Sequence, residues 1–236
     1  MPNLTIVTYC SDNSKALSKT EQSILSQTYK DYEWVVLKDG EPAHTSDSDY
    51  LLFLSPGEVL TEKKVLQNVF ENSHSEDIVF GDALIKKTFH RTKAIGPKGD
   101  DISLFRMMEH PIALSAAFIK RSLIDERTLT STFAEPTHWL EFLLKSFFLD
   151  NCPIKYTNCA ISKTTADAYK TMYNIEKQCQ QEIIQSIMPR LVNSRNKLYS
   201  QSETNEALRL FLFLQRNKLA LYFYNHFMKP RGGLDA

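Results

Sequence analysis

Three short apolar runs near the start of the chain each end in residues suited to phosphate or cation chemistry: Thr8-Tyr9-Cys10, Asp39-Gly40 and Ser55-Pro56-Gly57-Glu58. A carboxylate just beyond a strand offers the hard oxygen that a divalent cation wants beside a phosphate. In an open parallel sheet, such tips converge on one crevice beyond the carboxyl ends of the strands. Taken singly, Asp39 or Glu58 is weak evidence, because most loop acids are simply solvated. Gly81-Asp82 follows a fourth apolar run and reads equally as the rim of such a site or as a turn-initiating pair.

The elements that must position these tips follow from hydrophobic pattern. Leu4 to Tyr9 is a β-branched run and predicts a buried strand. Ala16, Leu17, Thr20, Ile24 and Leu25 recur at helical spacing, predicting an amphipathic helix from Lys15 to Ser26. Glu33 to Leu37 is a second strand, so the first 40 residues read as a parallel strand-helix-strand unit. Tyr50 to Leu54 is a third strand, and Thr61 is expected to cap the helix that carries Val65, Leu66, Val69 and Phe70. Asp77 to Phe80 is a fourth strand, with a hairpin extension through Ala83 to Lys87. A loop at Gly96 to Asp100, a strand at Ala116 to Ile119, a helix at Trp139 to Leu149 and a strand at Ile154 to Ile161 complete the core.

From about Thr165 the pattern turns helical. The expectation is therefore an α/β domain over residues 1–164 and a helical C-terminal extension over 165–236. In the extension, Leu208 to Phe227 is strongly apolar and aromatic, flanked by Arg209, Arg216, Lys218, Lys229 and Arg231. Such a segment suits peripheral contact with a membrane surface, or a buried or homodimer-forming helix.

Composition narrows the partners. Lys plus Arg equals Asp plus Glu at 28 each, so no global field steers the chain toward nucleic acid. The four cysteines contain no C-x-x-C pair, which argues for reduced thiols rather than a disulfide framework or a zinc site. The N-terminus lacks the charged and apolar regions of a signal peptide, and no run reaches the roughly 18 apolar residues of a spanning helix. The expected location is cytoplasmic, with any membrane contact peripheral at its inner face.

The segment L-T-I-V-T-Y-C, followed by K-T-E-Q-S-I-L-S-Q-T-Y-K-D-Y-E-W-V-V-L-K-D-G, resembles the nucleotide-binding half of family 2 glycosyltransferases of the bacterial surface-glycan type. Y-L-L-F-L-S-P-G-E-V-L, D-I-V-F-G-D, H-P-I-A-L-S-A-A-F-I-K-R-S-L-I and H-W-L-E-F-L-L-K continue the resemblance in order, over roughly residues 3 to 164. The resemblance implies a GT-A fold, Rossmann-like, with a mostly parallel sheet and flanking helices. It implies a hexosyltransferase-type enzyme that moves a sugar from a nucleotide-sugar donor to a glycan or lipid-linked acceptor. Carried over by position, Thr8, Tyr9 and Asp39 would bind the nucleotide, and Glu58 would hold a divalent Mn or Mg ion. The base that deprotonates the acceptor would be His138, with Glu135 and Glu141 as alternatives.

The chain departs from the family pattern in four places. Pro56 and Glu58 stand where a shorter Asp is usual, and His138 stands where the family has an Asp. Ala113-Leu114-Ser115 replaces a polar, His-containing patch. Only Glu41 to Asp49 separates Asp39-Gly40 from the third strand, where relatives place a further strand-helix unit. These departures keep a second reading open: a catalytically inactive glycosyltransferase-fold protein that acts as a binding or scaffolding partner.

Overall fold

The computed structural model describes residues 3–10, 15–38, 41, 48–71, 76–86, 92–95, 112–124, 136–148 and 152–165. All of them fall in one compact unit, Met1–Ile187. Strands β1 (Leu4–Tyr9), β2 (Tyr32–Leu37) and β3 (Tyr50–Phe53) are followed by the two-residue β4 (Val59–Leu60), the long β5 (Ile78–Lys86), β6 (Thr92–Ile95), β7 (Ala117–Lys120) and β8 (Ile154–Thr165). Helix α1 spans Lys15–Leu25, α2 Val65–Glu71 and α3 Pro136–Phe148. The strands form one sheet in the order β2-β1-β3-β7-β5-β8-β4, with β6 on β5.

The proposition on which the site depended is met: β1, β2 and β3 lie side by side and parallel, flush at their starts, with Leu4 opposite both Tyr32 and Tyr50. The α/β class expected from sequence is present, but parallel pairing is not general. β5–β8 is the third parallel pair, whereas β3–β7, β5–β7, β5–β6 and β4–β8 are antiparallel. Parallel neighbours need a crossover of a dozen or more residues. The helical crossover through α1 supplies one between β1 and β2.

Strand alternation sorts the core into two layers. Leu4, Ile6, Leu52, Val79 and Phe118 face α1 and α2, meeting Ile24, Val65, Leu66 and Val69. Val7, Leu51, Phe53, Ile78, Phe80 and Ile119 face α3, meeting Trp139 and Leu143. The Trp139 indole also donates to the Ile112 carbonyl (2.7 Å). Helices thus cover both faces, as a sheet buried on both sides requires.

The expected hairpin extension is present: β5 runs on through Ala83–Lys86, pairing there with β6 from Thr92 to Ile95, and on its other side stays paired with β8, shifting register at Asp82. Gly81 permits this, since a Cβ there would run into the Cys159 carbonyl and the Ile161 side chain. Thr61 caps no helix; its N–H and hydroxyl go to the Ile161 and Ala160 carbonyls of β8, and α2 begins later, at Val65. The Val59–Leu60 bridge was not anticipated, because two residues carry no periodicity. Cys10, Cys152 and Cys159 are not joined to one another by a disulfide. The Gly96–Asp100 loop and the helical extension from 166 onward lie outside the described residues.

Candidate functional site

The carboxyl ends of β1, β2 and β3 lie side by side. Cys10 N–H donates to the Leu37 carbonyl, and Leu54 N–H to the Val7 carbonyl, so the β1 tip is pinned between its two neighbours. Beyond β3 the chain turns at Ser55-Pro56-Gly57-Glu58, with Gly57 at φ +94°, a left-handed conformation that glycine adopts without strain. The tips enclose a cleft of about 70 Å³ lined by Val7, Tyr9, Phe53, Ser55, Glu58 and Ser115, among others. Ligand pockets run to about 300–1,000 Å³, so the described residues form the floor of a site rather than its whole volume.

Tyr9 and Thr8 part company here. Adjacent strand residues face opposite sides of a sheet, and only Tyr9 lines the cleft. Burial pushes its phenol up to about 12. Thr8 is fully buried and its Oγ1 accepts the Trp34 indole N–H (3.1 Å), so its side chain cannot line a nucleotide pocket.

Glu58 reaches the cleft as expected, but its carboxylate is already engaged. Its Oε2 accepts the Ser55 N–H at 2.8 Å. The residue is partly buried where it lines the cleft. That burial raises its pKa, against the opposing pull of the Ser55 N–H and the Ser115 and Ser55 hydroxyls. Ser115, within 2.9 Å of the Ser162 hydroxyl, was missed by sequence reasoning, which treated Ala113-Leu114-Ser115 as a lost polar patch. Its signal was a lone hydroxyl in an apolar run before a strand.

The remaining candidates do not converge on this cleft. His138 and Glu141 are exposed on the first turns of α3 and neither lines it. Asp82 lies within β5 and accepts the Tyr156 hydroxyl (3.1 Å), which rules out the turn reading and leaves it outside the cleft lining. Asp39 and Glu135 lie outside the described residues. Among the described residues no group of three His, Cys, Asp or Glu side chains could hold a metal ion. Glu58 alone, with its hydrogen bonds to protein, does not fit a divalent cation site.

A larger groove of about 750 Å³ opens at the opposite edge of the same strands, lined by Asn3, Thr28, Tyr29, Asp49, Tyr50 and Phe70 among others. Size alone favours it. The rule that open α/β sheets bind ligands beyond strand carboxyl ends favours the smaller cleft, and it is the stronger guide.

No protein-family model matches the sequence, and no curated protein sequence matches it. Solved structures do. S. aureus TarS 1–349 has a TM-score of 0.56 at 11% identity, over 99% of this chain and 76% of that one. The same protein in complex with UDP-GlcNAc gives 0.57 at 12% identity, over 90% and 72%. Its complex with UDP gives 0.50 at 12%, over 93% and 76%. Among the described residues no helix is long and apolar enough to cross a membrane. The chain has a Rossmann-like glycosyltransferase fold.

Proposed function

We propose that the chain is a glycosyltransferase of the GT-A, family 2-like type. It takes a nucleotide-diphosphate sugar as donor and a glycan or lipid-linked acceptor, in bacterial surface polysaccharide synthesis. The observation that carries this reading is the shared edge of β1, β2 and β3, with Tyr9, Ser55, Glu58 and Ser115 around one cleft. It is supported by the likeness to a protein solved with UDP and UDP-GlcNAc.

In this reading Tyr9 offers a ring against which a nucleotide packs. The hydroxyls of Ser55 and Ser115 supply neutral donors to an anionic diphosphate. The acceptor base is assigned to His138, with Glu141 on the same helix or Glu135 before it in sequence as alternatives, and Asp39 to the nucleotide base. No step is routed through a metal ion, because Glu58 fits that role poorly.

A second reading has its own support: the exposed His138 and Glu141 lie outside the cleft lining, and Glu58 is occupied. It makes the chain an inactive glycosyltransferase-fold binding partner. Calorimetry with UDP, followed by assay of UDP release from UDP-hexoses in the presence of glycan acceptors, separates the two. Saturable UDP binding with acceptor-dependent release supports the transferase. Absence of any UDP binding overturns it and leaves the second reading.

A further inference from the structure

The Ser55–Glu58 turn is tied both to itself and to α1. Glu58 N–H donates to the Ser55 carbonyl at 2.9 Å, and Ser55 N–H returns to Glu58 Oε2 at 2.8 Å. From α1, the buried Thr20 hydroxyl accepts the Gly57 N–H (2.9 Å) and donates to the Glu58 carbonyl (2.8 Å). Ser23, one turn further along the same helix face, accepts the Leu60 N–H (3.2 Å). On the far side, Ser115, whose hydroxyl pairs with Ser162 at 2.9 Å, lines the cleft beside Glu58.

A carboxylate has about four lone-pair sites. Here the Ser55 amide holds one oxygen at 2.8 Å. A Mn or Mg ion would have to compete with this donor for the carboxylate and draw its other oxygens from elsewhere, since such ions take about six. An acid used in this way holds a backbone shape. We infer that the Glu58 carboxyl is the buckle of the cleft floor, and that a nucleotide diphosphate binds at this edge without a cation held on Glu58. The buckle stands on the hydrogen bonds alone; its nucleotide arm rests on the transferase reading above.

The test uses the full chain as wild type, Glu58→Gln, Glu58→Ala and Thr20→Val. Gln keeps an oxygen for the Ser55 amide and discards the charge a cation needs. Glu58→Gln is expected to melt within about 2 °C of wild type, whereas Glu58→Ala and Thr20→Val each melt roughly 4 °C or more lower. The Ala and Val effects should be non-additive when combined, as coupled neighbours are. A Glu58→Ala chain that melts like wild type overturns the buckle.

Mn²⁺ alone, titrated into wild type and Glu58→Gln, is expected to show no site that the substitution removes. A site whose affinity falls about tenfold or more in Glu58→Gln, some 1.4 kcal/mol, overturns the inference. In EDTA, UDP should bind Glu58→Gln at least as tightly as wild type, because the variant removes a carboxylate facing a diphosphate. A tenfold weaker affinity there also overturns it. If UDP binds neither protein while the melting pattern holds, the transferase reading falls and the buckle stands. Should Glu58→Ala fail to fold, the Mn²⁺ and UDP comparisons of wild type with Glu58→Gln still decide the matter.

Discussion

The two ends of the same three parallel strands use polar side chains in opposite ways. At the amino edge, the Gln27-Thr28-Tyr29 segment that follows α1 is turned onto α2. The buried Gln27 amide donates to the Glu62 carbonyl (2.7 Å) and the Ser23 carbonyl (3.2 Å), and its oxygen accepts the Leu66 N–H (3.4 Å). Thr28 N–H donates to the Lys63 carbonyl and its hydroxyl reaches Gln67, while Tyr29 stacks on Phe70 at 5.0 Å. At the carboxyl edge, Tyr9, Ser55 and Ser115 border a cleft. One edge spends its polar groups holding a helix to the sheet; the other leaves some of them lining a cleft. The S-Q-T-Y segment, part of the stretch that carries the family resemblance, belongs to the edge that does architecture.

The largest effect should therefore come from the amino edge. Gln27→Ala removes three hydrogen bonds and strands a carbonyl and a helix-start N–H in a buried junction, a loss of about 3 kcal/mol. For a domain of this size that lowers the melting temperature by roughly 6–12 °C. Thermal melts check the stability, and calorimetry with UDP on the folded variant should show unchanged affinity. A loss below about 1 kcal/mol would mean that the clamp is decorative and the contrast between the edges is false.

The same contrast explains what the sequence made legible. The strand-helix-strand opening was readable because Leu4 to Tyr9 is a continuous β-branched run and Leu17, Thr20 and Ile24 share one helix face. The tips could be placed because strands of similar length that start flush also end together. The roles at the tips were harder to read, because they depend on neighbours distant in sequence. Thr8 looked like a ligand residue until Trp34, 26 residues away, took its hydroxyl. Glu58 looked like a cation ligand until its own turn closed on it. Ser115 drew no attention because its partner Ser162 lies 47 residues on, in a strand whose register no local pattern reveals.

At the cleft edge the expected effects are on binding and turnover. Tyr9→Ala should weaken UDP binding about tenfold, near 1.4 kcal/mol, while Tyr9→Phe keeps most of the affinity because the ring rather than the hydroxyl makes the contact. Equal affinity in Tyr9→Ala would move the nucleotide away from this cleft. His138→Ala should leave stability within about 0.5 kcal/mol, as an exposed position allows. It should leave UDP affinity unchanged and cut sugar transfer by about 10² or more, the usual contribution of a general base. Transfer at the wild-type rate would pass the role to another residue.

The smallest effect is confined to alkaline pH and reads the burial of the cleft's own tyrosine. Tyr9 is pushed up to about 12 by burial, and Tyr156 to about 12 by burial first and then by Asp82, against an ordinary phenol value of 10.0. Between these values the folded chain holds protons that the unfolded chain has released. Their stabilising contribution is complete below pH 10 and is lost as the pH rises through about 12. Urea melts at rising pH should therefore show stability falling only above about pH 10, with a shallower fall in Tyr9→Phe and in Tyr156→Phe. A fall in Tyr9→Phe as steep as in wild type would mean that Tyr9 is not buried at this edge and would erase the distinction between the two edges.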